Sequence, residues 1–116
     1  MISDTTRTEQ AAIYRLSGDR NPLHIDPGFA EQAGFGAPFL HGLCTYGFVG
    51  RAILGSLCGG DPSRFTSLDA RFADQVYPGD TIVTKLWVVG DGEAIVRAET
   101  QTGKMVLSQA STTFRV

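Results

Sequence analysis

Leu43-Cys44-Thr45-Tyr46-Gly47-Phe48-Val49-Gly50-Arg51-Ala52-Ile53-Leu54-Gly55-Ser56-Leu57 is an apolar stretch of helical length, and its reading decides the fold. Apolar residues fall on nearly every side of a 3.6-residue period, and Arg51 is its one charge, which predicts a buried helix. Gly47, Gly50 and Gly55 lie inside it. Each costs about 1 kcal/mol relative to alanine, which a sequence tolerates where a helix backbone must press closely against something. Past the breaker Cys58-Gly59-Gly60-Asp61-Pro62-Ser63 the period changes to two. Residues 65–72, 81–89, 94–100 and 105–116 read as strands. Pro78-Gly79-Asp80, Gly90-Asp91-Gly92 and Thr102-Gly103-Lys104 read as turns between them. The expectation is an α+β domain: one buried helix wrapped by four antiparallel strands in a meander, with a short further strand in residues 2–7.

Upstream of the long helix, residues 8–16 predict a first helix, capped by Thr6 or Thr8, with Ala12, Ile13 and Leu16 at apolar spacing. Gly18 suits its left-handed C-cap. Asn21, held extended by the following Pro22, fixes the backbone of the next loop. Asp26 at the N-cap and Pro27 at N1 start a short second helix that Gly34 stops. Residues 35–40 read as loop.

The 116 residues are expected to form one domain, 1–116, long enough to bury a core without staples. The net charge is −2 with no basic stripe, which argues against nucleic acid as a partner. Cys44 and Cys58 sit in apolar surroundings without metal-ligand spacing, so two free, buried thiols are expected. Residues 1–5 lack the basic and apolar regions of a signal peptide, and no apolar run reaches the ~18 residues of a membrane span. The chain reads as soluble and cytoplasmic.

The polar chemistry is concentrated in two places. Residues 14–24, Tyr-Arg-Leu-Ser-Gly-Asp-Arg-Asn-Pro-Leu-His, put Asp19, Asn21 and His24 into one loop, and His24 is one of only two histidines. The other, His41, precedes Gly42 at the start of the long helix. Asp19 and His24 can move protons, and Asn21 can hold a water or polarise a carbonyl. Gly42 opens a helix whose first N–H groups are unpaired and partly positive, and glycine admits a substrate oxygen to them. The parts suit proton chemistry beside a carbonyl, or water addition to an activated double bond. Each residue has a plainer use: Asp19 as a turn cap, His24 as a surface residue on the loop, His41 as a hydrogen-bonding partner of a neighbouring carbonyl, the role favoured for it. Asp19, His24 and Asp26 lack a further ligand at usual spacing, so no metal site is expected. No G-x-S-x-G and no dinucleotide-binding glycine pattern is present.

The segment 14–24, together with Ile-Asp-Pro-Gly-Phe-Ala at 25–30, Ala-Gly-Phe at 33–35, Leu-His-Gly-Leu-Cys-Thr-Tyr-Gly-Phe at 40–48 and Arg-Phe-Ala-Asp-Gln-Val-Tyr-Pro-Gly-Asp-Thr at 71–81, closely resembles the R-specific (type-two) enoyl-CoA hydratases of the MaoC-like family. The likeness covers nearly the whole chain and is greatest to the C-terminal half of two-domain hydratases. It implies the hot-dog fold, a long central helix wrapped in a curved antiparallel sheet. It implies reversible hydration of trans-2-enoyl-CoA to (3R)-3-hydroxyacyl-CoA, with Asp19 and His24 as the catalytic pair, Asn21 helping to hold the water and the Gly42 N–H binding the thioester oxygen. No cofactor beyond the substrate's own coenzyme A is implied. Val76, Pro78 and Gly79, with Tyr77, resemble the segment near the pantetheine channel. Arg71, with Lys85, Arg97 and Lys104, is a candidate for the coenzyme A phosphates by charge alone.

A lone hot-dog leaves sheet edge and apolar face exposed, so a homodimer or a pairing with another hot-dog domain is expected. Two other readings stand beside the hydratase: a dehydratase subunit of a heteromeric lipid or sterol pathway, and a non-catalytic acyl-CoA-binding hot-dog. A hot-dog thioesterase fits less well, because residues 43–57 carry no acid.

Overall fold

The structure, a computed structural model, describes residues 1–116. Its elements in chain order are β1 (Ile2–Thr5), α1 (Gln10–Arg15), a 3-10 turn (Pro22–His24), α2 (Pro27–Gln32), α3 (Gly42–Leu57), a second 3-10 turn (Pro62–Arg64), β2 (Phe65–Phe72), β3 (Thr81–Gly90), β4 (Glu93–Thr100) and β5 (Met105–Phe114). The strands form one antiparallel sheet in the order β1-β3-β4-β5-β2, packed against α3. This is the α+β hot-dog architecture that the resemblance implies.

The meander is shorter than expected. Only β3, β4 and β5 follow one another through tight hairpins, over Asp91-Gly92 and Gln101–Lys104. β2 pairs with β5 at the far edge, and β1 takes the place beside β3. The chain therefore crosses from the β2 edge past the places of β5 and β4 to reach β3, through the irregular residues 73–80. β5 carries the bend. Gln109 adopts a positive φ of 49°, and the pairing slips there: Arg71 lies opposite Ser108 while Asp69 lies opposite Ser111. A bulge of this kind bends and twists the strand, so the sheet can curl round the helix.

α3 buries Cys44, Thr45, Val49, Ala52 and Ile53 against the sheet. Its opposite face is open: Leu43 is 62% exposed, and Gly47, Arg51 and Gly55 are exposed too. The expectation of burial on all sides is corrected here. The glycines correct with it. A Cβ on Gly50 would meet the Phe65 ring at 3.8 Å, whereas at Gly47 and Gly55 it would meet nothing. Val49 and Ile53 are fully covered, and each such side chain stabilises the fold by roughly 1.5–3 kcal/mol. They join Leu40, Ile82, Val96 and Leu107 in the core.

α1 is shorter than the sequence suggests, and neither Thr6 nor Thr8 caps it. Thr6 is occupied elsewhere: its hydroxyl donates to the Asp80 carbonyl and accepts from the Gly79 N–H, which ties the chain start to the turn before β3. α1 buries Ala11 and leaves Ile13 and Leu16 exposed. α2 follows expectation, with the Asp26 carboxylate accepting from the N–H groups of Gly28 and Phe29 at 3.0 and 3.3 Å. Cys44 and Cys58 are free and buried, and burial pushes the Cys44 thiol up from its ordinary value.

Candidate active site

Three segments converge where α3 begins. The loop after α1 brings Asp19, the 3-10 turn brings His24, and the end of the preceding loop brings His41 and Gly42. One donor atom from each of Asp19, His24 and His41 lies within 4.8 Å of the others. The turn is set locally. Asn21 is its N-cap, with the side-chain oxygen accepting from the Leu23 N–H at 3.0 Å, and Pro22 supplies the first position. The Asn21 N–H in turn donates to Asp19 Oδ1 at 3.2 Å. One Asp19 oxygen is thus engaged with the backbone and the other is free.

The geometry fixes how the two imidazoles present themselves. His24 Nδ1 lies 2.8 Å from the Phe39 carbonyl oxygen. A carbonyl only accepts, so Nδ1 carries the hydrogen and Nε2 is left to exchange a proton with a ligand. His41 is the reverse: its Nε2–H donates to the Asp19 main-chain carbonyl at 3.0 Å, and its buried Nδ1 has no partner. His41 is 2% exposed. Burial, the largest influence, holds its imidazole below the ordinary histidine value, and the neighbouring His24 adds to this; Asp19 pulls the other way. The rings stack, centroids 3.9 Å apart and planes 29° from parallel. Tyr14 lies tilted against His41, centroids 4.6 Å apart, and Phe39 meets His24 edge-on at 5.0 Å.

Asp19, His24 and His41 are the groups here that could hold a metal ion, each offering one ligand atom, and two of the four imidazole nitrogens are already engaged. One holds the Asp19 backbone and the other the Phe39 carbonyl.

Gly42 is the first residue of α3, and its N–H is one of those with no intrahelical acceptor. The N-cap side chain, His41, makes no capping bond, and the first turn holds no acid. The positive end of a sixteen-residue helix is therefore left for a ligand. Beside it opens a cleft of ≈ 270 Å³, lined by Gly42 and Thr45 of α3, by Phe39 and Leu40 before it, by Phe72 to Val76, and by Val106. The main chain closes one side, where the Leu40 N–H donates to the Val76 carbonyl at 2.7 Å.

Among the residues singled out from the sequence, Asp19, Asn21, His24 and Gly42 come together at the start of α3. Val76 lines the cleft, whereas Pro78, Gly79 and Arg71 are not part of its wall. Gly79 supports the turn instead, and Arg71 is exposed on edge strand β2. Lys85 and Arg97 are both paired with Glu99, at 2.7 and 3.0 Å, and the two cations hold the Glu99 carboxyl below its usual range. Lys104 lies over the Tyr77 ring. The sequence reading missed Phe39, whose carbonyl fixes the His24 tautomer, and Phe72, whose ring lies against Gly42. A hint was available for both: Phe39 directly precedes the segment 40–48 that carries the resemblance, and Phe72 lies within the segment 71–81.

A family model described as "MaoC like domain" matches residues 2–111. The chain is 57% identical over 99 residues to 3-hydroxyacyl-thioester dehydratase Y of Mycobacterium tuberculosis, covering 84% of this chain and 34% of that protein. It is 49% identical over 110 residues to peroxisomal multifunctional enzyme type 2 of Mus musculus, covering 95% of this chain and 15% of that one. Among solved structures, a MaoC-like dehydratase from Phytophthora capsici superposes with a TM-score of 0.95 at 40% identity, over 97% of this chain and 39% of the other. The chain thus spans about a third or less of the length of the curated relatives named here. With a family model matched along almost all of its length and the fold shared, the chain belongs to the MaoC-like domain family.

Proposed function

We propose that this chain catalyses the reversible hydration of trans-2-enoyl-CoA thioesters to (3R)-3-hydroxyacyl-CoA. The observation that carries the reading is the meeting of Asp19 and His24, each with a free proton-handling atom, at the open N-terminus of α3. In the hydration direction a water oxygen bonds to C3 and loses one proton to the Asp19/His24 pair. C2 receives a proton from the same pair, so that H and OH are added across the double bond. As the C–O bond forms, negative charge moves to the thioester oxygen, which the Gly42 N–H stabilises; one such donor is commonly worth about 3–4 kcal/mol. With its side-chain oxygen held by the Leu23 N–H, Asn21 offers the water its amide N–H group.

The apolar walls of the cleft suit the pantetheine and acyl portions of such a thioester. The acid–base chemistry needs no cofactor beyond the coenzyme A of the substrate. Residues 1–116 supply the whole constellation, and a second hot-dog domain, as another copy or a different chain, is the partner proposed for the open face of α3, where Tyr14, Leu43, Gly47 and Arg51 border a shallow groove.

The test is loss of the conjugated-thioester absorbance when the purified chain meets a short trans-2-enoyl-CoA, with chiral analysis of the product. Formation of the 3R alcohol supports the reading. A folded chain that leaves both short and long enoyl-CoA unchanged, alone and with a second hot-dog domain, overturns it.

A further inference from the structure

The ring cluster of Tyr14, His41, His24 and Phe39 serves the core poorly. It buries an imidazole nitrogen, His41 Nδ1, with no hydrogen-bond partner, and leaving such a group unpaired in the interior is costly. An apolar ring of similar size would pack there without that cost. What only a histidine at this position provides is the pair of contacts it makes. One face lies on the His24 ring at 3.9 Å, while the edge N–H holds the Asp19 carbonyl at 3.0 Å. The same residue is the N-cap of α3, next to the Gly42 N–H. His41 therefore touches both members of the acid–base pair and adjoins the oxyanion donor.

We infer that His41 is a positioning residue: its ring face sets the plane of the His24 imidazole, and its Nε2–H holds the Asp19 backbone in register with Gly42. The inference rests on the proposed reaction. His41 does this in the neutral state. A charged His41 would face an imidazolium at His24 whenever that ring holds a proton. The groups facing it are Tyr14, Asp19 and His24, and the Asp19 carboxylate approaches no closer than 4.0 Å. The role is indirect, because reacting atoms are reached by His24 and Asp19 while His41 aligns them. Misplacement of a catalytic group by about 1 Å commonly costs about a hundredfold in rate.

The chain's two histidines make the test clean, because any His41 variant leaves His24 as the single imidazole. His41→Phe keeps a ring face and loses the N–H; His41→Asn keeps an N–H donor and loses the ring. Nitrogen NMR reads the tautomer of His24, and turnover of an enoyl-CoA reads alignment. For both variants kcat is expected to fall about ten- to a hundredfold with KM within about twofold. The Nδ1–H tautomer of His24 is expected to persist in His41→Phe and to become mixed in His41→Asn. Wild-type protein, recorded first, is expected to show neutral His41 as the Nε2–H form, taking up its second proton at a lower pH than an ordinary histidine.

Variants that lose thermal stability yet keep wild-type kcat per folded molecule, or a wild-type His41 that protonates with an ordinary value, overturn the inference. Wild-type protein without turnover overturns the proposed reaction instead, and the tautomer measurements still decide the role of His41. Variants that do not fold leave the wild-type spectrum to decide it in the same way.

Discussion

Phe72 lays its ring over the α-carbon of Gly42. A Cβ added at Gly42 would stand 3.2 Å from two of the ring carbons, closer than ordinary van der Waals contact. Phe72 is itself 54% exposed at the end of edge strand β2, so the ring has room to swing away. Gly42→Ala is therefore expected to cost little stability, less than about 1 kcal/mol. The methyl group and the displaced ring would crowd the space from which a thioester oxygen reaches the helix N-terminus. Turnover of an enoyl-CoA should fall about ten- to a hundredfold, measured with circular dichroism and urea unfolding as the control for folding. Undiminished turnover would remove Gly42 from the oxyanion role.

Asp19→Asn and His24→Gln separate the proton chemistry from the fold. Asp19 is exposed and its oxygen caps only a local turn; the Asn side chain can still accept from the Asn21 N–H. Gln at 24 is able to donate to the Phe39 carbonyl in place of His24 Nδ1. Both variants should fold, and each should lose about 100- to 10,000-fold in kcat, the range of a general acid–base contribution. A variant within a few-fold of wild type would show that its residue does not carry a proton in the rate-limiting step.

Much of this was legible in the sequence because it is local. The cap at Asp26 with Pro27 after it, the extended Asn21 before Pro22 and the glycine that stops α2 act within a few residues, and the structure repeats them. The start of α3 at Gly42 was legible for the same reason. What escaped depends on partners far along the chain. Alternation marks β2 as a strand but does not say that it will lie beside β5 rather than β3. The exposure of Leu43 and Gly47 depends on where the sheet ends. His41 looked like an ordinary hydrogen-bonding histidine, and its stack on His24 comes from two loops seventeen residues apart meeting in space.

Two backbone positions in the sheet should respond in opposite directions. Gly92 has φ of 72°, and an added Cβ would lie 2.4 Å from the Phe114 carbonyl oxygen, a backbone atom that cannot move aside cheaply. Gly92→Ala should destabilise the chain by about 1–3 kcal/mol. Gln109 has a positive φ with a side chain present, which costs about 1–2 kcal/mol for an L-residue. Gln109→Gly should relieve part of that and stabilise by about 0.5–1 kcal/mol. Urea unfolding of the two variants checks both signs. Equal effects of one sign would mean that the hairpin and the bulge do not have the backbone described.

The pH dependence of stability should carry the signature of His41. Its folded imidazole is held below the ordinary value of 6.5 chiefly by burial. Below pH 6.5 the unfolded chain takes up that proton and the folded chain does not, so stability rises with pH. The contribution is fully present above 6.5 and is lost as the pH falls toward the folded value, at no more than about 1.4 kcal/mol per pH unit. The other groups with shifted values titrate elsewhere. Glu9, Asp61 and Glu99 are lowered from carboxylate values of 4.5 or below, and Cys44 is raised from 9.0. Between pH 5 and 7, His41→Phe should therefore flatten the dependence of the unfolding free energy on pH relative to wild type. A variant with the wild-type slope would mean that His41 takes up its proton in the folded chain as readily as in the unfolded one, and that the ring is not shut away from water at the start of α3.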